Sequence, residues 1–256
     1  MIDRLVFVVG LAGLGLLIGP FLGVIVDRAV ERLPLAPEQR CTHCKAGLGI
    51  RSLRIARWCQ YCWSCHRHKG SRYLWVDLAT GIGFATLGLR FGTDWRLVPY
   101  LGLVAVLVVL SVIDIETHLL PNVVVWPSIW ISLFLVLVLT GELESGHGIH
   151  AALAGGATFG GFIGVAHLVS ERGMGRGDVK LSLLLGLFVG WLQPDTLIAV
   201  RLVLYTILIA LLGGGLSGLA YNTIRRRGRA EIPFGPALAS AAVVIILVSP
   251  QLVLTS

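Results

Sequence analysis

Apolar residues run along this chain in long blocks separated by short polar stretches. A helix needs about 20 apolar residues to cross the hydrocarbon core of a bilayer, with a range of about 17–25. Eight blocks meet or approach that length, at approximately 5–26, 73–91, 97–113, 123–141, 148–170, 179–194, 197–222 and 232–254. The sixth is short, which predicts tilting into a thinner region or partial re-entry. The first is too long for the apolar core of a cleaved signal, and Arg4 is the only basic residue ahead of it, so it reads as a span. The expected fold is an all-α polytopic membrane bundle of about eight transmembrane helices. Residues 1–26 form the first helix, 27–72 a polar insert, and 73–256 the main membrane domain.

Composition strengthens this reading. Of 256 residues, 55% are hydrophobic and 14% charged, with mean hydropathy +0.83. A soluble domain carries about 25% charged residues, and one this short has no interior large enough for so much apolar side chain. A soluble globular enzyme, a disordered chain and a small disulfide scaffold are all excluded.

Charge is concentrated in one place. Residues 27–72 hold ten Lys or Arg against three acids, while the remaining residues balance at eleven of each. A basic patch can bind nucleic acid, but the positive-inside rule accounts for this one more simply, so no nucleic acid is expected as a partner. If the insert is cytoplasmic, so are the loops 114–122, 171–178 and 223–231. With Lys180 assigned to that interface, the cytoplasmic side carries 17 basic residues and the rest of the chain keeps Arg4, Arg90, Arg96 and Arg201. That asymmetry predicts eight spans with both termini outside.

Ionisable groups at a membrane boundary are costly and usually functional. Asp114 follows seventeen almost wholly apolar residues, and Asp178 sits in Gly173-Met-Gly-Arg-Gly-Asp-Val-Lys180. Both fall at cytoplasmic ends of predicted spans, hence at one depth. Two carboxylates about 3 Å apart share a proton. The ionised one then activates water and the protonated one polarises a scissile carbonyl. Gly175 and Gly177 lack Cβ atoms and would let backbone and substrate approach Asp178. The plainer reading is a helix cap or interface marker, Asp178 preceding an apolar run as an N-cap would. The pairing at matching depth favours catalysis. Glu116 lies near Asp114 and either tunes its surroundings or is a solvated loop residue; Glu171 lies just ahead of the glycine-rich stretch. Lys180 either lowers the Asp178 pKa or snorkels to the interface.

All five cysteines lie in the insert: Cys41-Thr-His-Cys44, then Cys59, Cys62 and Cys65 as two overlapping CxxC pairs. In a reducing compartment this pattern favours metal over disulfides. Tetrahedral zinc takes four ligands, so one cysteine is spare and the second pair is either Cys59–Cys62 or Cys62–Cys65. Such a site would stabilise a small lobe that has no apolar core.

Several segments resemble the prepilin peptidases, the type IV leader peptidases. GMGRGDVK at 173–180 is similar to their GxGD motif, and IDIETHLLPN at 113–122 to their first-aspartate segment. PFGP at 233–236 resembles their motif before the last span. RYLWVDLATG at 72–81 resembles the opening of their second span, with Asp77 where glutamate is usual. GPFLGVIVDRAVERLP at 19–34 is a degraded form of their first motif, with Pro20 for serine and Gly23 for asparagine. The likeness runs through almost the whole chain.

The resemblance implies an intramembrane aspartyl endopeptidase with Asp114 and Asp178 as its catalytic pair. Its partners would be the bilayer and the helices of prepilins or pseudopilins, whose basic leader it removes at the cytoplasmic face. Gly175, Gly177 and Glu116 would contact that substrate. The gap between the second cysteine pair and Arg72-Tyr73 is similar to the family's when Cys65 closes the pair, which implies Cys41, Cys44, Cys62 and Cys65 as structural zinc ligands. Many members also methylate the new N-terminal amine with S-adenosylmethionine. Here the insert is short and the asparagine is replaced, which leaves methyl transfer undecided. Two other classes compete. A membrane thiol-disulfide oxidoreductase would use the CxxC pairs and stay active as Asp178→Asn. An ion transporter would place its carboxylates near the bilayer midplane, whereas these two fall at one edge.

Overall fold

The computed structural model describes residues 2–30, 72–143, 147–169, 175–225 and 234–254. They form helices α1 (Ile2–Val30), α2 (Arg72–Phe91), α3 (Leu97–Thr117), α4 (Asn122–Leu143), α5 (His147–Val169), α6 (Arg176–Trp191), α7 (Thr196–Arg225) and α8 (Gly235–Leu254). Each covers one of the eight apolar blocks. Six of them, α1 to α5 and α7, are long and apolar enough to cross a membrane. The 16-residue α6 and the apolar stretch Gly235–Ser249 of α8 are shorter than that. The cysteine insert, with Cys41, Cys44, Cys59, Cys62 and Cys65, lies outside the described residues, as does Glu171.

The chain divides into two compact units, residues 1–97 and 98–256. In the first, α1 and α2 pack antiparallel along small residues. A Cβ on Gly15 would stand 2.7 Å from the Thr80 carbonyl oxygen, and one on Gly19 would stand 2.6 Å from the Asp77 Cα. Toward the other end Arg4 donates to the Leu89 carbonyl at 2.7 Å, one of the acceptors a helix leaves open in its last turn. With no hydrophobic force between helices in lipid, such close backbone approach is what holds a pair together. Among the described residues, the buried Oδ1 atom of Asp77, which lies against α1, has no hydrogen-bond partner.

The second unit is built around α6. This helix contacts α4, α5, α7 and α8, and every residue from Leu184 to Trp191 is buried. A helix so largely covered belongs to a core rather than to an interface, which explains why the sixth block can be short: apart from Leu183, little of its apolar part faces outward. Its closest partner is α5, antiparallel, with Gly155 against the Gly186 backbone and Gly190 against the Ala151 carbonyl.

α3 runs antiparallel to α6 and meets it at both ends. Near the start of α3, Tyr100 donates its hydroxyl to the Phe188 carbonyl at 2.9 Å and stacks on Trp191 with centroids 5.9 Å apart. Trp191 in turn donates its indole N–H to Thr140 of α4 at 2.9 Å. Buried ring N–H and O–H groups need such partners, and this set fixes how far α3 slides along α6.

Candidate active site

At the far end of that contact, α3 stops three residues after Asp114. Thr117 turns its hydroxyl back to the Ile113 carbonyl at 2.8 Å, and His118 adopts φ +52°. That left-handed residue ends the helix as a glycine commonly would. Pro121 follows, and its carbonyl receives the first amides of α4, from Val124 and Val125. The reversal at 118–121 therefore has a defined shape.

Asp114 is 5% exposed. Its Oδ2 accepts the backbone N–H of Gly235 at 2.9 Å. Gly235 is the first residue of α8, so the positive end of that helix faces the carboxylate. A Cβ on Gly235 would stand 2.6 Å from Asp114 Oδ2, so glycine is the residue that permits this approach. On its other side Phe234 packs its ring against Gly214 of α7.

Asp178 is 7% exposed and stands in the first turn of α6, outside the six long spans. Gly175 is the N-cap, in an extended conformation, and donates its N–H to Asp178 Oδ2 at 3.0 Å. Asp178 is thus not the N-cap itself but the third helical residue, reaching back as an acidic group in a capping box does. Burial pushes its carboxyl up to about 6; the Gly175 N–H and His167 oppose the rise, and the charge of Asp114 adds to it. The two carboxylates are therefore near enough to feel each other.

The other residues singled out in the sequence fall as follows. Gly175 serves Asp178 through its backbone. The space beside Gly177 is taken by Leu120, whose Cβ would lie 2.7 Å from a Cβ added there. Glu116 is exposed near the end of α3. Lys180 is not among the groups that shift Asp178; its ammonium donates to Asn122 Oδ1 at 2.6 Å and lies 5.4 Å from the Trp126 ring centre. Sequence reasoning missed the roles of Gly235, Leu120 and Asn122. PFGP carried the signal for the first, since its glycine opens a helix, but nothing local ties it to a carboxylate 121 positions earlier. Among the described residues no cluster of three or more His, Cys, Asp or Glu could hold a metal ion.

Two buried carboxylates, each held by a main-chain N–H, are groups that can share a proton and activate water when they face one another. Residues 101–221 match the type IV leader peptidase family. A prepilin leader peptidase/N-methyltransferase of Pseudomonas aeruginosa is 31% identical over 98% of this chain and 93% of its own length. The Bacillus subtilis protein of the same name is 28% identical over 92% of this chain and 93% of its own length. A type 4 prepilin-like proteins leader peptide-processing enzyme of Escherichia coli is 27% identical, covering 91% and 90%. No solved structure matches. With several helices able to cross a membrane and near full-length similarity to these enzymes, the chain is a multi-pass membrane protein that belongs to the type IV leader peptidase family.

Proposed function

We propose that the chain is an intramembrane aspartic endopeptidase that removes the basic leader of prepilins or pseudopilins at the cytoplasmic face of a bacterial inner membrane. The observation that carries this is a pair of buried carboxylates, Asp114 and Asp178, each accepting a main-chain N–H, at one end of the second unit. The names of the relatives supply the substrate class. The charge asymmetry of the loops supports eight spans with that end toward the cytoplasm.

In the proposed reaction Asp114 is the base. The Gly235 N–H at the start of α8 supports its charged form. It takes a proton from water as the oxygen attacks the scissile carbonyl. Asp178, raised to about 6, gives its proton to the carbonyl oxygen. The resulting gem-diol collapses, the C–N bond breaks, the proton on Asp114 passes to the leaving amine, and one gem-diol hydroxyl returns its proton to Asp178 as the carbonyl reforms. Both side chains are nearly covered, at 5% and 7% exposure.

The direct test is mass spectrometry of a prepilin incubated with the detergent-solubilised enzyme, with and without S-adenosylmethionine. Loss of the leader is the expected result, and a gain of one methyl group would report the second activity that the relatives' names carry. An intact prepilin would reject the reading. The competing oxidoreductase reading expects activity to follow the redox state of the cysteines instead.

For the insert we propose structural zinc on Cys41, Cys44, Cys62 and Cys65. Two CxxC pairs supply four thiolates, the donor set of a closed tetrahedral site. Cys41→Ser and Cys44→Ser should each lower zinc content from about one to near zero per chain by elemental analysis. Unchanged zinc in both variants would refute it.

A further inference from the structure

Two contacts lie side by side where the 118–121 turn meets the first turns of α6. Leu120 covers Gly177, and Asn122 receives Lys180. Residues 114, 120 and 122 belong to one continuous stretch, the end of α3 and the start of α4. Residues 177, 178 and 180 belong to the other. Moving Asn122 relative to Lys180 therefore moves the turn and, through it, the end of α3 that carries Asp114. Tyr100 sets the sliding of α3 at the distant end, but it lies fourteen residues from Asp114, a lever of about 21 Å at 1.5 Å per residue.

The Lys180 side chain is well held for a lysine. Its ammonium has an oxygen acceptor at 2.6 Å and an aromatic face at 5.4 Å, and Trp126 itself stacks on Trp130 one turn further along α4, with centroids 6.5 Å apart. An ammonium bound by an amide oxygen and a ring face has a defined position, whereas one that merely snorkels does not.

We propose that Lys180 and Asn122 are positioning residues, a latch between α6 and α4 that keeps Asp114 in reach of Asp178. The latch touches no substrate and supplies no proton. It sets the separation of the two carboxylates, and a misplacement of about 1 Å in reacting groups can cost on the order of a hundredfold in rate.

The proposal rests on the reading of Asp114 and Asp178 as the catalytic pair. The test is a double-mutant cycle with Lys180→Met and Asn122→Leu, reading kcat and KM for prepilin cleavage together with the thermal unfolding midpoint in detergent. Each single variant should lose about tenfold to a hundredfold in kcat with KM changed less than about threefold. The double variant should be no worse than either single one, because both remove the same contact. Asn122→Asp, which keeps an acceptor for the ammonium, should restore kcat to within about threefold of wild type. Additive losses, unchanged kcat, or losses that merely track the fraction unfolded would overturn the latch. So would a shifted pH profile in Lys180→Met that Asn122→Leu does not share, since that would make Lys180 a charge acting on Asp178. A wild-type enzyme that fails to cleave defeats the catalytic reading instead. An active wild type with additive variants defeats only the latch.

Discussion

Asp114→Asn and Asp178→Asn should each abolish leader cleavage while leaving the protein folded in the membrane. The loss expected from removing one member of an acid–base pair is about a hundredfold to ten-thousandfold in kcat. Folding should survive because the asparagine oxygen is still an acceptor. In Asp178→Asn it can still take the Gly175 N–H that closes the first turn of α6, and in Asp114→Asn the Gly235 N–H at the start of α8. The two variants also separate the roles. Cleavage needs Asp178 protonated, and its carboxyl is raised to about 6 by burial, with the Asp114 charge adding to the rise. As pH climbs through that value the proton is lost, so kcat/KM of the wild type should fall about tenfold per pH unit above it. Removing the charge at position 114 lowers the Asp178 value, and the residual activity of Asp114→Asn should decline from a lower pH. The measurement is a pH series of prepilin cleavage read by mass spectrometry. Normal processing by either asparagine variant would end the assignment.

The largest effect on stability is expected at the α5–α6 contact. A Cβ on Gly186 would meet the Gly155 carbonyl oxygen, with the Phe159 Cβ at 2.8 Å; one on Gly155 would meet the Gly186 oxygen, with the Gly190 Cα at 2.8 Å. These obstacles are mostly backbone, which no rotamer change can clear, so the two helices must separate. Gly155→Ala or Gly186→Ala should each cost about 1–3 kcal/mol, the usual penalty for an added methylene in a tight core. The double variant should cost much less than the sum, since helices moved apart for one methyl have room for the other. Gly161→Ala on the same helix is the control. Nothing lies within 4 Å of its added methyl, and alanine is the better helix former by up to about 1 kcal/mol. Thermal unfolding in detergent should rank Gly161→Ala at or above wild type and the other two well below it. Equal midpoints for Gly155→Ala and Gly161→Ala would show that the contact is not tight.

The helices were legible because bilayer thickness imposes one length on every span, and a run of apolar residues records that length directly. The eight blocks and the eight helices differ by a few residues at most ends. The sixth block was the ambiguous one for the same reason. Its shortness looked like tilt, and the structure attributes it to enclosure by α4, α5, α7 and α8, a tertiary fact with no local signature. The two aspartates stood out because a carboxylate beside an apolar run has few cheap explanations. Their immediate surroundings did not. The Gly235 amide reaches Asp114 across 121 positions, and backbone donors leave no trace in side-chain chemistry. Lys180 illustrates a different limit. Proximity in sequence suggested that it acts on Asp178, but two residues along a helix point to different faces, and its ammonium is bound by Asn122 of α4. Gly177 reads as an opening for substrate when only its missing Cβ is considered, and it is filled by Leu120.

The enclosure of α6 bears on how the protein is made. Its opening residues include Arg176, Asp178 and Lys180, and its 16 residues fall short of the roughly 20 that favour spontaneous residence in lipid. Such a segment has little reason to leave the translocation channel by itself. Biogenesis should hold it back until α5 offers its glycine face, and release the pair as a hairpin.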